Sequence, residues 1–458
     1  MRRRTATRVV ALAVAWTVYL GNIAFLVWIW VHDHNLSMHT TADVLARTAG
    51  LAGLIGAYLA LVQVVLLSRL PVLERVAGFD RLTQWHRWNG HLCIDLIVVH
   101  VVLQIQGYSM PTNRSFFREF WEMVGRGAFP GMVTATIGTV LLLVVAWSSF
   151  AIARRHLSYE LWYAVHLTAY AGIALAWFHE IPTGGDLNPS SLEGLTPTGF
   201  GKPVNWHANY WRGLAIVTLA VLAYRLLAPF VSSFRYRLKV AEVSPEGHGV
   251  TSLRITGRRL DRLGAVPGQF FIWRFLAPGH WWAAHPFSLS AAPDGNSFRI
   301  TAKSVGGHTA KMDAIPVGTR VVVEGPFGDF TERTRKRDKV LLVAGGIGIT
   351  PVRALLERMT GDVVAIYRVL STDDIVFADE LAELERRRGF ALHYVVGDHA
   401  APDGHELLSP EHLGELVPDL AEREVYLCGP PAMTNVTGRR LRSAGVPRRR
   451  LHVERFAL

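Results

Sequence analysis

The sequence predicts a multidomain fold: an all-α membrane domain of six helices, then an antiparallel β-barrel and an α/β domain. Three observations predict it. Long apolar runs fill the first half, short alternating strand patterns begin near residue 236, and a buried strand with a glycine-rich turn and a helix begins at residue 339. We expect the three domains to occupy residues 1–232, 233–335 and 336–458.

The apolar runs predict the membrane domain. Of the 458 residues, 50% are hydrophobic, an unusual share for a soluble protein. A helix needs about 20 apolar residues to cross a bilayer core. Six runs approach that length, and none recurs in the second half. They are residues 9–31, 44–67, 88–106, 130–153, 159–178 and 211–230.

Basic residues predict the orientation of these helices. The chain starts "MRRRTATR", and arginines recur between runs two and three and between runs four and five. The positive-inside rule then places both termini and the second half in the cytoplasm. We expect an integral protein of the plasma membrane with six spans. The net charge of +11 lies largely in membrane-flanking loops and short exposed clusters, so no nucleic-acid partner is expected.

Histidines stand at regular positions in two of the runs. His86 and His100 are 14 residues apart, which is ~21 Å along a helix and within ~40° of whole turns. His166 and His179 are 13 apart in the fifth run, which leaves ~140° between their directions on a regular helix. Both helices run outward, so His86 is level with His166 and His100 with His179. We expect helix five to be irregular, or its two sites to differ in azimuth.

These pairs predict two stacked bis-histidine sites, each of a size to hold a b-type haem. Imidazole is a common iron ligand, and a six-coordinate haem carries electrons. A single membrane histidine more often makes a helix–helix hydrogen bond, and that alternative stays open. His91 lies outside the matched set and is expected to pack or to support a ligand.

The barrel region contains two motifs that suit a flavin. In "HPFSLS" (285–290) an aromatic residue beside small hydroxyls can stack on a flat ring and bond its edge. In "GGHT" (306–309) two glycines precede a hydroxyl at a helix start, which suits a diphosphate. Either motif alone is compatible with ordinary turn chemistry. Together on one barrel they predict FAD.

The last domain begins as a nucleotide-binding βαβ unit. In "KVLLVAGGIGITPVRALLERM" the glycines permit close approach of a pyrophosphate, although the motif is not GxGxxG. The strand "VVAIYRV" ends near Arg368, a basic residue that favours NADPH over NADH. The strand "EVYLCGPPAM" ends in a turn at the edge where ligands bind.

In these features the chain resembles the NADPH oxidases and ferric reductases, in which a six-helix haem domain is fused to a ferredoxin–NADP reductase-like module. The paired histidines, "HPFSLS", "AGGIGITP" and "YLCGPPAM" follow one another in that family's order. The resemblance implies that His86 and His166 ligate an inner haem, and His100 and His179 an outer one.

The resemblance also implies roles for residues of the second half. The residues at the FAD would be His285, Pro286, Phe287, Ser288, Gly307 and Thr309. Those at the nicotinamide nucleotide would be Gly345, Gly346, Gly348, Thr350, Cys428, Gly429 and Pro430. Phe456 matches the C-terminal aromatic that covers the flavin ring. Arg47, in "LARTAG", would stabilise superoxide near the outer haem, or would be an interfacial side chain. Phe456, Cys428 and Arg47 are thus the candidates for a direct part in catalysis.

The predicted function is electron transfer across a membrane, from NADPH (NADH is an open alternative) through FAD and two b-type haems to an outer acceptor. Dioxygen, giving superoxide, is favoured, because a six-coordinate haem can reduce it without binding it. A ferric or cupric chelate is the rival, with His32, His34 and His39 in the outer loop, and a quinone or redox protein is a third. Rivals of another class are an anchored flavin reductase and a haem-free transporter or sensor. Protein partners are not predicted.

Overall fold

The computed structural model describes residues 2–32, 38–125, 131–150, 153, 156–157, 159–183, 206–247, 249–306, 309–398 and 406–456. The chain divides into two compact units, Met1–Leu226 and Leu227–Leu458. The boundary predicted between residues 335 and 336 falls inside the second unit and stays a prediction.

The first unit is helical, and its last helix continues into the second. The helices are α1 (Arg2–His32), α2 (Thr41–Leu66), α3 (Pro71–Ala77), α4 (Phe79–Thr112), α5 (Phe116–Gly125), α6 (Met132–Ser149), α7 (Tyr159–Thr183) and α8 (Trp206–Tyr236). Within the described ranges, six helices are long and apolar enough to cross a membrane, namely α1, α2, α4, α6, α7 and α8. The six predicted spans are therefore confirmed as long apolar helices.

Two of these helices differ from the sequence pattern in a way that matters for the histidines. Helix α4 begins at Phe79, before the predicted run, so His86 lies inside the helix. Helix α7 is continuous over Tyr159–Thr183. No break separates His166 from His179, and on a regular helix their side chains would point ~140° apart.

Helices α2 and α4 are joined by a ladder of side-chain-to-main-chain hydrogen bonds. Asn89 donates to the carbonyl of Leu59 (2.9 Å), and the thiol of Cys93 to that of Gly56 (3.4 Å). Polar groups in hydrocarbon require such partners. Because one helix is antiparallel to the other, each step forward on α4 is matched by a step back on α2.

The second unit begins with a β-barrel of two antiparallel three-stranded sheets, ordered β1-β2-β5 and β4-β3-β6. The strands are β1 (Lys239–Pro245), β2 (Val250–Thr256), β3 (Phe270–Phe275), β4 (His285–Ser288), β5 (Ser297–Lys303) and β6 (Val321–Phe327). Bridges Lys239–Arg320 and Leu289–Ile300 connect the sheets. Alternate apolar side chains, including Phe271, Trp273 and Phe298, fill the interior.

An α/β sandwich follows, with a parallel sheet ordered β11-β10-β7-β8-β9. Its strands are β7 (Lys339–Gly345), β8 (Asp362–Val369), β9 (Ala391–Val396), β10 (Glu424–Gly429) and β11 (Leu451–Arg455). Its helices are α9 (Ile349–Leu356), α10 (Ala378–Arg388), α11 (Pro410–Leu416) and α12 (Pro431–Ser443). The strand order reverses between β7 and β10. In doubly wound sheets, ligands bind outside the carboxyl ends of the strands at this point.

Candidate cofactor sites

His86 on α4 and His166 on α7 face each other. Their ring centroids are 6.0 Å apart, with 55° between the ring planes. A metal–imidazole bond is about 2 Å, so rings on opposite sides of one metal ion have centroids roughly 6 Å apart. The buried Nδ1 of His86 has no hydrogen-bond partner in the described part of the chain. The pair would therefore fit one metal ion, which His86 and His166 would hold between them.

His100, nearer the other end of α4, is held for ligation differently. Its Nδ1 lies 2.8 Å from the carbonyl oxygen of Ala49 on α2. A carbonyl only accepts, so Nδ1 carries the proton and Nε2 of the neutral ring keeps its lone pair. Metal-binding histidines are commonly oriented by such a bond from the second nitrogen.

Glycines bring the neighbouring backbones close to the second pair of histidines. A Cβ at Gly53 of α2 would lie 2.7 Å from Nδ1 of His100. A Cβ at Gly131, before α6 and at φ +80°, would lie 2.7 Å from Cα of His179. Both positions therefore require glycine, because the neighbouring ring or backbone lies too close for a Cβ. Each glycine lies beside a predicted ligand.

The sequence of the membrane domain also singles out Arg47, His91 and His34. The carbonyl of Arg47 accepts a hydrogen bond from the indole of Trp30 (3.0 Å), two residues before Ala49. The ring of His91 packs on Phe150, with 5.8 Å between centroids. His34 lies outside the described residues. Within the described ranges no group of three or more His, Cys, Asp or Glu side chains is arranged to hold a metal ion.

The predicted flavin motif forms strand β4. The carbonyl of Phe287 accepts from the indole of Trp273 on β3 (3.0 Å). Ser288 is buried, Pro286 is exposed, and the His285 and Phe287 rings are 6.0 Å apart. The strand is thereby pinned to the barrel, and the ring of Phe287 packs against the barrel core.

In the second flavin motif, the described residues on either side of positions 307–308 are linked by hydrogen bonds. The hydroxyl of Thr309 accepts from the N–H of Val305 (3.1 Å) and donates to the carbonyl of Gly306 (2.9 Å). Gly307, also predicted at the diphosphate, lies outside the described residues. A single hydroxyl thus holds both ends of the turn together.

The glycine-rich turn after β7 meets the end of β10 at the reversal point of the sheet. A Cβ at Gly345 would lie 2.0 Å from the sulfur of Met433, and one at Gly348 would lie 2.5 Å from the carbonyl oxygen of Cys428. Gly346 has φ +52°, and a Cβ at this position would meet no atom within 4 Å. Thr350 is buried, and its hydroxyl donates to the carbonyl of Ile347 (3.0 Å). A glycine-rich turn that leads into a helix, as here at the start of α9, is the arrangement that suits an anionic phosphate.

The residues predicted at the nicotinamide lie beside this turn. Cys428 is fully buried on β10, and Pro430 directly precedes α12. The N–H of Phe456 lies 3.4 Å from the carbonyl of Gly429, to which it donates. Burial, and then the carboxylate of Glu454, raise the pKa of the Cys428 thiol well above its ordinary value. Both effects favour the protonated form of this thiol.

Arg368 is the penultimate residue of β8 and is buried. One guanidinium nitrogen, Nη1, donates to the carbonyls of Val369 and Val395. Burial lowers the pKa of this guanidinium, and Asp398 opposes the shift. The side chain is therefore partly engaged in joining β8 to β9, a role the sequence pattern did not predict.

Comparisons with known proteins address both units. Residues 52–177 match the family "Ferric reductase like transmembrane component", and residues 342–439 match "Oxidoreductase NAD-binding domain". The two matches, in this order along the chain, agree with the architecture of the NADPH oxidase and ferric reductase family. The ferric reductase-like match includes His86, His100 and His166 and ends just before His179.

Individual relatives match about half of the chain. The chain is 30% identical over 204 residues to the glycine betaine monooxygenase reductase subunit of Pseudomonas aeruginosa, covering 42% of this chain and 56% of that protein. It is 29% identical over 288 residues to an NADPH oxidoreductase of Mycobacterium tuberculosis, covering 59% and 74%. Among solved structures, the FAD/NAD-binding domain of a Vibrio cholerae nitric oxide dioxygenase is matched at a TM-score of 0.40 and 24% identity, covering 48% of this chain and 97% of that one.

Sequence reasoning missed the partners of the histidines. Ala49 acts through its main chain, and Gly53 acts by lacking a side chain, so neither has a chemical signature. The available signal was "GLAGLIG", which places Gly50, Gly53 and Gly56 at intervals of three in a membrane helix. Small residues in membrane helices let neighbouring backbones approach closely.

Proposed function

We propose that the chain is a transmembrane oxidoreductase that passes electrons from NADPH through FAD and two b-type haems to an acceptor on the opposite side of the membrane. The 6.0 Å separation of the His86 and His166 rings carries the proposal. It matches the spacing of two axial ligands and lies within the ferric reductase-like segment. His100 and His179 are the proposed ligands of the second haem.

The proposed donor side uses the second unit. The FAD would lie at His285–Ser288 and at the 305–309 turn, and the nucleotide between the glycine-rich turn and the end of β10. FAD is required because it takes two electrons from the nicotinamide as a hydride and releases them singly. NADPH is the proposed donor because the basic residue Arg368 lies near the carboxyl end of β8, and because one similar protein is described as an NADPH oxidoreductase. We propose that both termini are cytoplasmic.

We propose dioxygen as the acceptor, because a haem with two histidine ligands can transfer an electron outward without an open coordination position. Arg47 would stabilise the superoxide formed. A ferric chelate is the second candidate, favoured by the ferric reductase-like match. The two candidates share every step up to the outer haem.

The test is a visible spectrum of the full-length protein in detergent. Reduction of b-type haem bands by NADPH without air, followed by rapid reoxidation in air with superoxide formed, is the expected result. Slow reoxidation in air with fast reoxidation by a ferric chelate would establish the second candidate. A folded, haem-supplied preparation without haem bands would refute the relay and leave an anchored flavin reductase or a haem-free protein.

A variant of the second histidine pair tests the route. His100→Leu is expected to stop outward electron transfer while NADPH still reduces the flavin. If His100→Leu retains full outward transfer, electrons do not pass through the proposed outer haem.

A further inference from the structure

Four charged side chains join the barrel to the α/β domain inside the second unit. Arg299 on β5 bonds Glu380 on α10 through both guanidinium ends, at 2.7 and 2.9 Å. Arg353 on α9 reaches the same carboxylate through Nε at 2.7 Å, and its Nη1 donates to Glu357 at 2.5 Å. We call these four residues the arginine–glutamate clasp.

The clasp also holds the segment that directly follows the flavin strand β4. The carbonyl of Ser290 accepts from Arg353 (3.0 Å) and from Arg299 (3.1 Å). The N–H of Ala292 donates to Glu357 at 2.5 Å. One segment of the barrel is thus tied to the helix that follows the glycine-rich turn.

Burial and charge make this contact specific. The Arg299 and Arg353 side chains are 18% and 9% exposed. Two positive charges face two negative charges, so no charge is left uncompensated within the cluster. Two-pronged arginine–carboxylate bonds fix direction as well as distance.

A strained residue lies under the clasp. Phe377 has φ +64°, which is uncommon for a bulky side chain. Its ring centroid is 4.8 Å from Cζ of Arg299 and 5.9 Å from Cζ of Arg353. Such strain persists only where the surroundings demand it, and here it places an aromatic face against both guanidinium groups.

We propose that the clasp is a positioning element that sets the separation between the flavin strand and the nucleotide-binding helix α9. The inference rests on the proposed function, in which a hydride crosses between ligands held by these two elements. The hydride leaves the reduced nicotinamide, which is oxidised, and the flavin is reduced. A misplacement of about 1 Å can slow such a transfer roughly 100-fold.

The experiment measures flavin reduction in the full-length, FAD-loaded protein by anaerobic stopped flow over a range of NADPH concentrations. Glu380→Gln keeps the size of the shared acceptor and removes its charge, and Arg299→Lys keeps the positive charge and removes the two-pronged bond. The matched control is Glu383→Gln on the same helix, because Glu383 pairs with Arg386 on the surface, where their side chains are 50% and 79% exposed.

Both clasp variants are expected to lower the limiting reduction rate 10- to 100-fold, as roughly expected for a shift below 1 Å. The NADPH concentration at half-maximal rate, the FAD content and the control variant should be unchanged. The inference is overturned if both variants retain the wild-type limiting rate. It is also overturned if they lose FAD or only weaken NADPH binding, because the residues would then bind ligands rather than align them. A wild-type flavin that NADPH cannot reduce would instead refute the proposed function.

Discussion

Gly53→Ala tests whether the α2–α4 contact holds a haem ligand. The new Cβ would lie 2.7 Å from Nδ1, 3.0 Å from Cε1 and 3.2 Å from Cγ of His100. Ordinary contact begins at 3.4 Å, so the ring edge must retreat by about 0.7 Å. The 2.8 Å bond from Nδ1 to Ala49 would then stretch towards 3.5 Å, the limit for a hydrogen bond.

The expected magnitude follows from that bond. Leaving a buried donor unsatisfied costs about 1–3 kcal/mol, which weakens binding roughly 5- to 150-fold. The loss should fall on the proposed outer haem, since His86 does not contact Gly53. We therefore expect one haem to dissociate faster by that factor and the other to be unaffected.

The assay is haem transfer from the purified protein to excess apomyoglobin, followed by absorbance. Gly50→Ala is the matched control, because a Cβ at Gly50 meets nothing within 4 Å on the same helix. It should release both haems at the wild-type rates. Equal haem content and equal release from Gly53→Ala and wild type would refute the proposed packing of His100 against α2.

Three further predictions concern the second unit. Burial raises the pKa of Glu380, but hydrogen bonds and charges from Arg299 and Arg353 outweigh it and lower the pKa below the ordinary value. The clasp should therefore stabilise the protein fully near neutral pH and lose its contribution as pH falls below about 4. Thermal release of FAD should occur at a lower temperature in acid for this reason, and the Glu380→Gln variant should not show this loss. Cys428 and Cys93 are both buried, so iodoacetamide at pH 8 should modify neither thiol until the chain is denatured; rapid labelling of the folded protein would contradict this. Arg368→Leu should lower kcat/KM for NADPH about 10-fold or more and spare NADH, if the guanidinium meets the 2′-phosphate; equal losses would mean that it only braces β8 against β9.

The sequence by itself determined the order and type of the domains. Hydrophobic length predicted six spans, and six apolar helices are present. The period-two segments after residue 236 became the barrel strands, and the glycine-rich turn after β7 opened a parallel sheet. These features depend on local pattern: run length, alternation and turn chemistry are readable from neighbours along the chain. The residues of the sites themselves stay predictions.

Only the tertiary structure decided which distant groups meet. The ring separation of His86 and His166 depends on the packing of α4 and α7. The bond from His100 to Ala49 depends on an α2 carbonyl, which every residue possesses, and therefore leaves no mark in the sequence. The clasp brings Arg299 to Glu380 across 81 positions of the chain. Arginine and glutamate are common on surfaces, so their burial and pairing follow from the docking of two domains and not from residue type.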